Sequence, residues 1–382
     1  MKSNEAKRKK IGSTLLALLP AILIGVCAGL SGVYLSELFS DNEGNLPQFF
    51  FLLELASLIL SCYLQLIVHE AGHLVFGLLS GYRFSSFRIG SLMLARVEGR
   101  LRFARLSIAG TAGQCMMAPP APDENGRIPS VLFNLGGSLM NLLLSAILLI
   151  LFFSLPLSLF SVFLFICALV GLFLALNNGI PLHMGMIDND GRNALSLHRD
   201  PFANRAFYVQ LKVSEQIASG KRLKDMPDSL FEIPEGADKK NPLIATVDVF
   251  RCNRLMDGCR FEEAETAIRE ILSGERIGAL LLYRCLLTCD LICLLIGRGA
   301  WQEAAGYLDE QQKRFMKSMR TFPSVIRAEY LIARHITKNK KDESDALSRF
   351  SRVEKSYPYP QEIAGERELM TLLDRADALP TA

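Results

Sequence analysis

The 382-residue chain contains no two cysteines at C-x-x-C spacing, and its nine cysteines form an odd, scattered set. Both facts argue against a disulfide framework or a zinc ribbon. Cys285, Cys289 and Cys293 recur every fourth residue, which reads as one packed helix face rather than a metal site. No segment concentrates basic residues on a single face, and the net charge is only +3, so nucleic acid is not an expected partner. Charge is absent altogether from Ser154-Leu155-Pro156-Leu157-Ser158. Lys and Arg are absent from the segment that carries Glu37, Asp41 and Glu43.

Apolar residues make up 50% of the chain and crowd into its first half. Four runs, at residues 11–35, 48–79, 131–155 and 157–176, are each long enough, at about 1.5 Å per helical residue, to cross a hydrocarbon core of about 30 Å. Lys2, Lys7, Arg8, Lys9 and Lys10 precede the first run. Arg83, Arg88, Arg96, Arg100, Arg102 and Arg105 follow the second. By the positive-inside rule both clusters face the cytosol, and four crossings return the carboxy terminus there too. A cleavable leader ending near Ala28-Gly29-Leu30 is the competing reading of the first run, but its apolar length exceeds that of a usual signal core. The expectation is an integral protein of a bacterial-type cell membrane.

Within the second run stands His69-Glu70-Ala71-Gly72-His73. On a helix, residues four apart lie about 40° apart around the axis, so the two imidazoles can reach one metal ion, with Glu70 beside it as a base. Zinc held by two histidines and a third protein ligand keeps one position for water and lowers its pKa to about 7, which is the chemistry of hydrolysis. The plainer reading is a helix end where His and Glu meet interfacial water. Three polar side chains in a bilayer span are costly enough, at about 2.5–3.5 kcal/mol for a charged one at the centre, to favour a use for them.

A helix entering at about residue 49 reaches His69 after about 30 Å, and the fourth run reaches the same depth near Asn177. The stretch Asn177-Asn178-Gly179-Ile180-Pro181 through Asp190-Gly191 cannot continue as a helix, and irregular backbone at that depth belongs in protein or beside a wet cavity. It offers His183, Asp188 and Asp190 as third ligands, although Asn189-Asp190-Gly191 is also an ordinary turn signal. In the third run, Gly136-Gly137-Ser138-Leu139-Met140-Asn141 allows close helix contact. Asn141 reads equally as a packing residue and as a group near the site. Alternating residues from Phe87 to Leu106 about a Glu98-Gly99 turn predict a small β-hairpin between the second and third spans, either a structural sheet or an edge to which an unwound substrate could add a strand.

Three blocks in this order, His69-Glu70-Ala71-Gly72-His73, the Gly-rich block ending in Asn141, and Asn178-Gly179-Ile180-Pro181 with Asp190-Gly191, resemble the site-2 protease family of intramembrane zinc metalloproteases. The resemblance implies that His69, His73 and Asp190 bind one zinc ion, that Glu70 is the general base, and that Asn141 and Asn178 lie near the substrate. Two departures stand out. Ser138 occupies the place where the family often has proline, and the interval from Pro181 to Asp190 is longer than usual, which leaves Asp188 as a rival ligand. Only Asp190 is followed by glycine.

Beyond Pro201 the chain turns polar, and 226–242 reads as a linker with three prolines. Gly258-Cys259-Arg260-Phe261-Glu262-Glu263-Ala264, Gly299-Ala300-Trp301-Gln302-Glu303-Ala304 and Asp342-Glu343-Ser344-Asp345-Ala346 recur about every 40 residues. The first two resemble tetratricopeptide-like repeats, in a longer period than the usual 34. The expected architecture is an all-α polytopic membrane domain with a small β-hairpin at 1–200, a helix and linker at 201–242, and a cytosolic helical repeat or bundle at 243–382. The expected function is zinc-dependent cleavage of a transmembrane or membrane-associated protein near the cytosolic face, with a cytosolic protein as a possible partner of the helical region. The alternative is a membrane-anchored helical-repeat scaffold whose metal site is structural or vestigial.

Overall fold

The computed structural model describes residues 22, 25–26, 29–34, 36–38, 50–108, 111–181, 189–274 and 281–375. Most of the expected first span lies outside the described residues, as do the basic amino terminus, His183 and Asp188. The chain divides into two compact units, residues 1–81 with 129–199, and residues 82–128 with 200–382.

The first unit is helical: α1 (Phe50–Leu79), α2 (Val131–Ser154), α3 (Leu159–Gly179) and the short α4 (Asp190–Arg199). Among the described residues three helices are long and apolar enough to cross a membrane, over Leu52–Leu79, Val131–Ser154 and Leu159–Gly179. Ser158 and Ser161 form a capping box that starts α3, and Pro181 ends it by forcing Ile180 into extended backbone. Side chains such as Ile59, Ile150, Phe153 and Phe160 stay exposed, as a lipid-facing surface requires. Inward, a Cβ on Gly72 would stand 2.3 Å from the Gly136 carbonyl oxygen, so α1 and α2 meet backbone to backbone, as a pair of glycines permits. The described residues between 22 and 38 are helical too. Tyr34 packs edge-on against Phe152 and Phe165, and Ser31 donates a hydrogen bond to the Glu54 carboxylate of α1.

The second unit opens with an antiparallel sheet of β1 (Arg83–Ile89), β2 (Leu92–Val97), β3 (Arg100–Arg105) and β4 (Gly113–Ala118), in the order β3-β2-β1-β4. The expected hairpin is its β2–β3 pair, with Val97 opposite Arg100 across Glu98 (φ 49°) and Gly99 (φ 80°). Two positive φ values make this the turn whose twist matches the strands. The sheet is larger than the hairpin expected from alternation. A register shift between Phe84 and Ser86 interrupts β1, and Gly113, Gln114, Met116 and Ala118 give β4 no alternating pattern. β1 pairs locally with β2, Ile89 opposite Leu92, but β4 is held by β1 alone, a partner distant in sequence that periodicity cannot report.

The rest of this unit is helical, running from Pro201 to Leu373. Asp200 and Asn241 cap helices that begin at Pro201 and Pro242, each with proline in the first turn, where its missing N–H is harmless. The 226–242 segment has a single 3₁₀ turn, and Met226 and Phe231 are buried in a core with Val209, Val213 and Val247. The helix Leu281–Gly297 is the spine of the larger core. Leu291, Ile292 and Leu294 through Ile296 are fully enclosed, and Cys285, Cys289 and Cys293 are buried among them. Helices begin at Phe261, Trp301 and Lys340, within or just before each of the three recurring blocks.

Candidate metal centre

Three polar side chains converge in the first unit. His69 and His73 project from one face of α1, and Asp190 is the first residue of α4. The Asp190 Oδ2 lies 3.0 Å from His69 Nε2 and 3.4 Å from His73 Nε2, and the two Nε2 atoms are 3.3 Å apart. Among the described residues, these three form a group able to hold a metal ion. Zinc bonds of about 2.0–2.2 Å in a tetrahedron place neighbouring ligand atoms roughly 3.3–3.6 Å apart, close to these separations. Both histidines are buried, as is Glu70 beside them. Burial opposes charge on Asp190, but hydrogen bonding with His69 and His73 holds its carboxyl well below the usual carboxylate range.

Each element is held in place for a visible reason. A Cβ on Gly137 would fall 2.5 Å from His69 Cε1 and 2.6 Å from both ring nitrogens, so the imidazole lies flush on α2 where only a glycine leaves room. A Cβ on Gly191 would fall 2.1 Å from the Gly179 carbonyl oxygen. The glycine after Asp190 therefore lets α4 close onto the end of α3. His73 Nδ1 donates to the Phe133 carbonyl oxygen at 2.8 Å, and His69 Nδ1 is 2.8 Å from Asn141 Oδ1. The arrangement aims both Nε2 atoms at one point.

The structure thus brings His69, His73, Asp190 and Asn141 together. Asn178 stands in the last turn of α3 and donates its side-chain amide to the Leu174 carbonyl at 3.0 Å. Its side chain serves its own helix. Asp188 and His183, the other candidate ligands, lie outside the described residues. Reading the sequence missed Asn189. Its amide nitrogen donates to the carbonyls of Asn177 (2.7 Å) and Ile180 (2.6 Å), and its Oδ1 accepts the backbone N–H of Arg192 at 3.0 Å. It ties the start of α4 to the end of α3 and so positions Asp190; the available signal was the helix-capping preference of an asparagine before Asp-Gly.

Apolar helices fit to cross a bilayer, beside two histidines and a carboxylate able to hold a metal ion, point to a membrane protein with a candidate metal site. A family model described as Peptidase M50B-like matches residues 47–237, half of the chain, and the protein belongs to that family, the site-2 protease group that its three motif blocks resemble. No curated protein and no solved structure matches it.

Proposed function

We propose that the protein is a zinc-dependent intramembrane endopeptidase that cleaves a transmembrane or membrane-associated protein near the cytosolic face. The observation that supports this most is the meeting of His69 Nε2 and His73 Nε2, from a helix long and apolar enough to cross a membrane, with the Asp190 carboxylate of the short α4 within 4.8 Å, next to buried Glu70. When bound, zinc supplies a Lewis acid that polarises the scissile carbonyl and acidifies water. Glu70 takes the proton that the attacking water gives up and returns one to the leaving amine. The short separations from His69 and His73 to Asp190 hold the three donors at the spacing the ion needs. A helical substrate must unwind locally first, because its internal hydrogen bonds cover the carbonyl.

The same reading has four spans, counting that of 11–35, both termini in the cytosol, a protease domain at 1–200, and a helical domain at 243–382 joined through 201–242. The helical domain, with its tetratricopeptide-like blocks, would dock a cytosolic protein or a substrate tail. A position of Asn141 and Asn178 near the substrate is supported by the likeness of their motif blocks to those of the family.

Zinc per chain, measured by elemental analysis of detergent-purified protein, tests the proposal. Wild type and Glu70→Gln are expected to carry about one zinc and Asp190→Ala much less, and Glu70→Gln is expected to abolish cleavage. A wild type without zinc would leave the membrane-anchored scaffold as the reading. Equal zinc loss in Asp188→Ala and Asp190→Ala would overturn the choice of third ligand.

A further inference from the structure

Gln65 lies one helical turn before His69 on α1 and is fully buried in an otherwise apolar stretch. Burying an amide there requires that its polar atoms be matched. Its Nε2 donates to the Cys167 carbonyl oxygen of α3 at 2.9 Å. Its Oε1 and its own main-chain carbonyl both accept from Asn141 Nδ2, at 2.8 and 2.9 Å. The other end of the Asn141 amide, Oδ1, faces His69 Nδ1 at 2.8 Å.

Two amides in series could run in either direction, since oxygen and nitrogen exchange places when an amide flips. Here the ends decide. The Cys167 and Gln65 main-chain carbonyls can only accept, so the group facing each must be an NH₂. With Gln65 Nε2 committed to Cys167 and Asn141 Nδ2 committed to Gln65, Asn141 presents only its oxygen to His69. The His69 Nδ1 must then carry a proton and donate it, and Nε2 is the ring atom directed at Asp190 and His73. The pocket is shaped for this chain: a Cβ on Gly171 would fall 2.5 Å from Gln65 Nε2 and 2.2 Å from Ser145 Oγ.

We propose that Gln65 is a positioning residue of the metal centre, acting through Asn141 to fix the proton of His69 on Nδ1. The proposal builds on the zinc reading, since its purpose is to hold Nε2 ready as a ligand. Outer partners of this kind contribute about 10- to 100-fold in metal affinity. Asn141 thereby gains a role toward His69 that differs from substrate contact, and α3 takes part in the site through the carbonyl of Cys167.

The test is ¹⁵N NMR of the imidazole nitrogens in full-length protein in micelles, without zinc and with it, alongside zinc affinity from competition with a chelator. In wild type, His69 Nδ1 is expected to be protonated in both samples, and an Nδ1 without a proton in zinc-free protein would overturn the proposal with no variant needed. Gln65→Met keeps the length but no amide. It removes one of the two acceptors of Asn141 Nδ2 and leaves only the main-chain carbonyl of residue 65, so it is expected to loosen Asn141, to shift part of the His69 proton population from Nδ1 to Nε2 and to weaken zinc about 10-fold, whereas Gln65→Glu keeps both acceptors for Asn141 and is expected to hold the Nδ1 proton. Unchanged spectra and unchanged affinity in folded Gln65→Met would also sink the idea. Should wild type bind no zinc, the zinc reading fails by itself, and the proton position on His69 still decides the role of Gln65.

Discussion

A single methyl group is enough to test how tightly the centre is built. Alanine at Gly137 would place its Cβ against three atoms of the His69 ring, and neither the α1 nor the α2 backbone can move away cheaply where Gly72 and Gly136 already touch. Overpacking of this kind costs about 1–3 kcal/mol. Gly137→Ala is therefore expected to bind zinc at least tenfold more weakly and to melt earlier, as read by chelator competition and a thermal scan in detergent; affinity equal to wild type would show that His69 has room to spare. At this scale the sequence was only partly legible. His69 and His73 announce themselves because helical spacing alone makes them neighbours. Asp190 was reachable through motif order and the glycine that follows. The carbonyls of Phe133 and Cys167 were not, since a main-chain oxygen is the same at every residue and only the fold selects which one faces a histidine or a glutamine.

Among the elements, the Leu281–Gly297 helix carries one charge into the centre of its core: Asp290 is buried and paired with Arg327, a residue 1% exposed from the helix Pro323–Leu331. Arg327 Nε also lies 3.3 Å from Glu366 Oε2. Removing one member of a buried pair leaves the other uncompensated, at about 3–5 kcal/mol. Arg327→Met is expected to destabilise the helical unit by that amount in chemical unfolding, and Arg327→Met with Asp290→Leu to recover part of it, since Glu366 still lacks its partner. A single variant as stable as the double would mean that water reaches Asp290. Helix ends in this region were marked by chemistry a reader can see, Asp200-Pro201 and Asn241-Pro242. The ion pair was hidden, because Asp290 and Arg327 are 37 residues apart and nothing local joins them. The same reasoning explains the sheet: the β2–β3 hairpin is a local object closed by Glu98-Gly99, whereas β4 earns its strand identity from β1.

For the molecule as a whole, acidity acts on stability through Glu362 and Glu366. Burial pushes both carboxyls up to about 7, against a usual value near 4.5, with Arg327 pulling Glu366 the other way and Asp257 adding to the rise in both. A raised carboxyl pKa means that the folded chain holds more protons than the unfolded chain between about pH 4.5 and 7, so stability falls as pH rises through that window. The melting temperature of full-length protein in micelles is expected to be higher at pH 5.5 than at pH 8. Replacing both with Gln should flatten that difference, and an unchanged slope would place the titration elsewhere. The helices near the amino terminus have a different dependence. Glu54 is an acidic residue set in a helix long and apolar enough to cross a membrane, and its hydrogen-bond donor, Ser31, comes from the helical stretch that precedes α1 in the chain. A shortened form of this protein that began at α1 would keep every motif of the candidate metal centre and still leave Glu54 without its Ser31 donor in an apolar helix long enough to cross a membrane; the preceding helical stretch is thus a chaperoning neighbour for Glu54, and the smallest portable version of the protein has to include it.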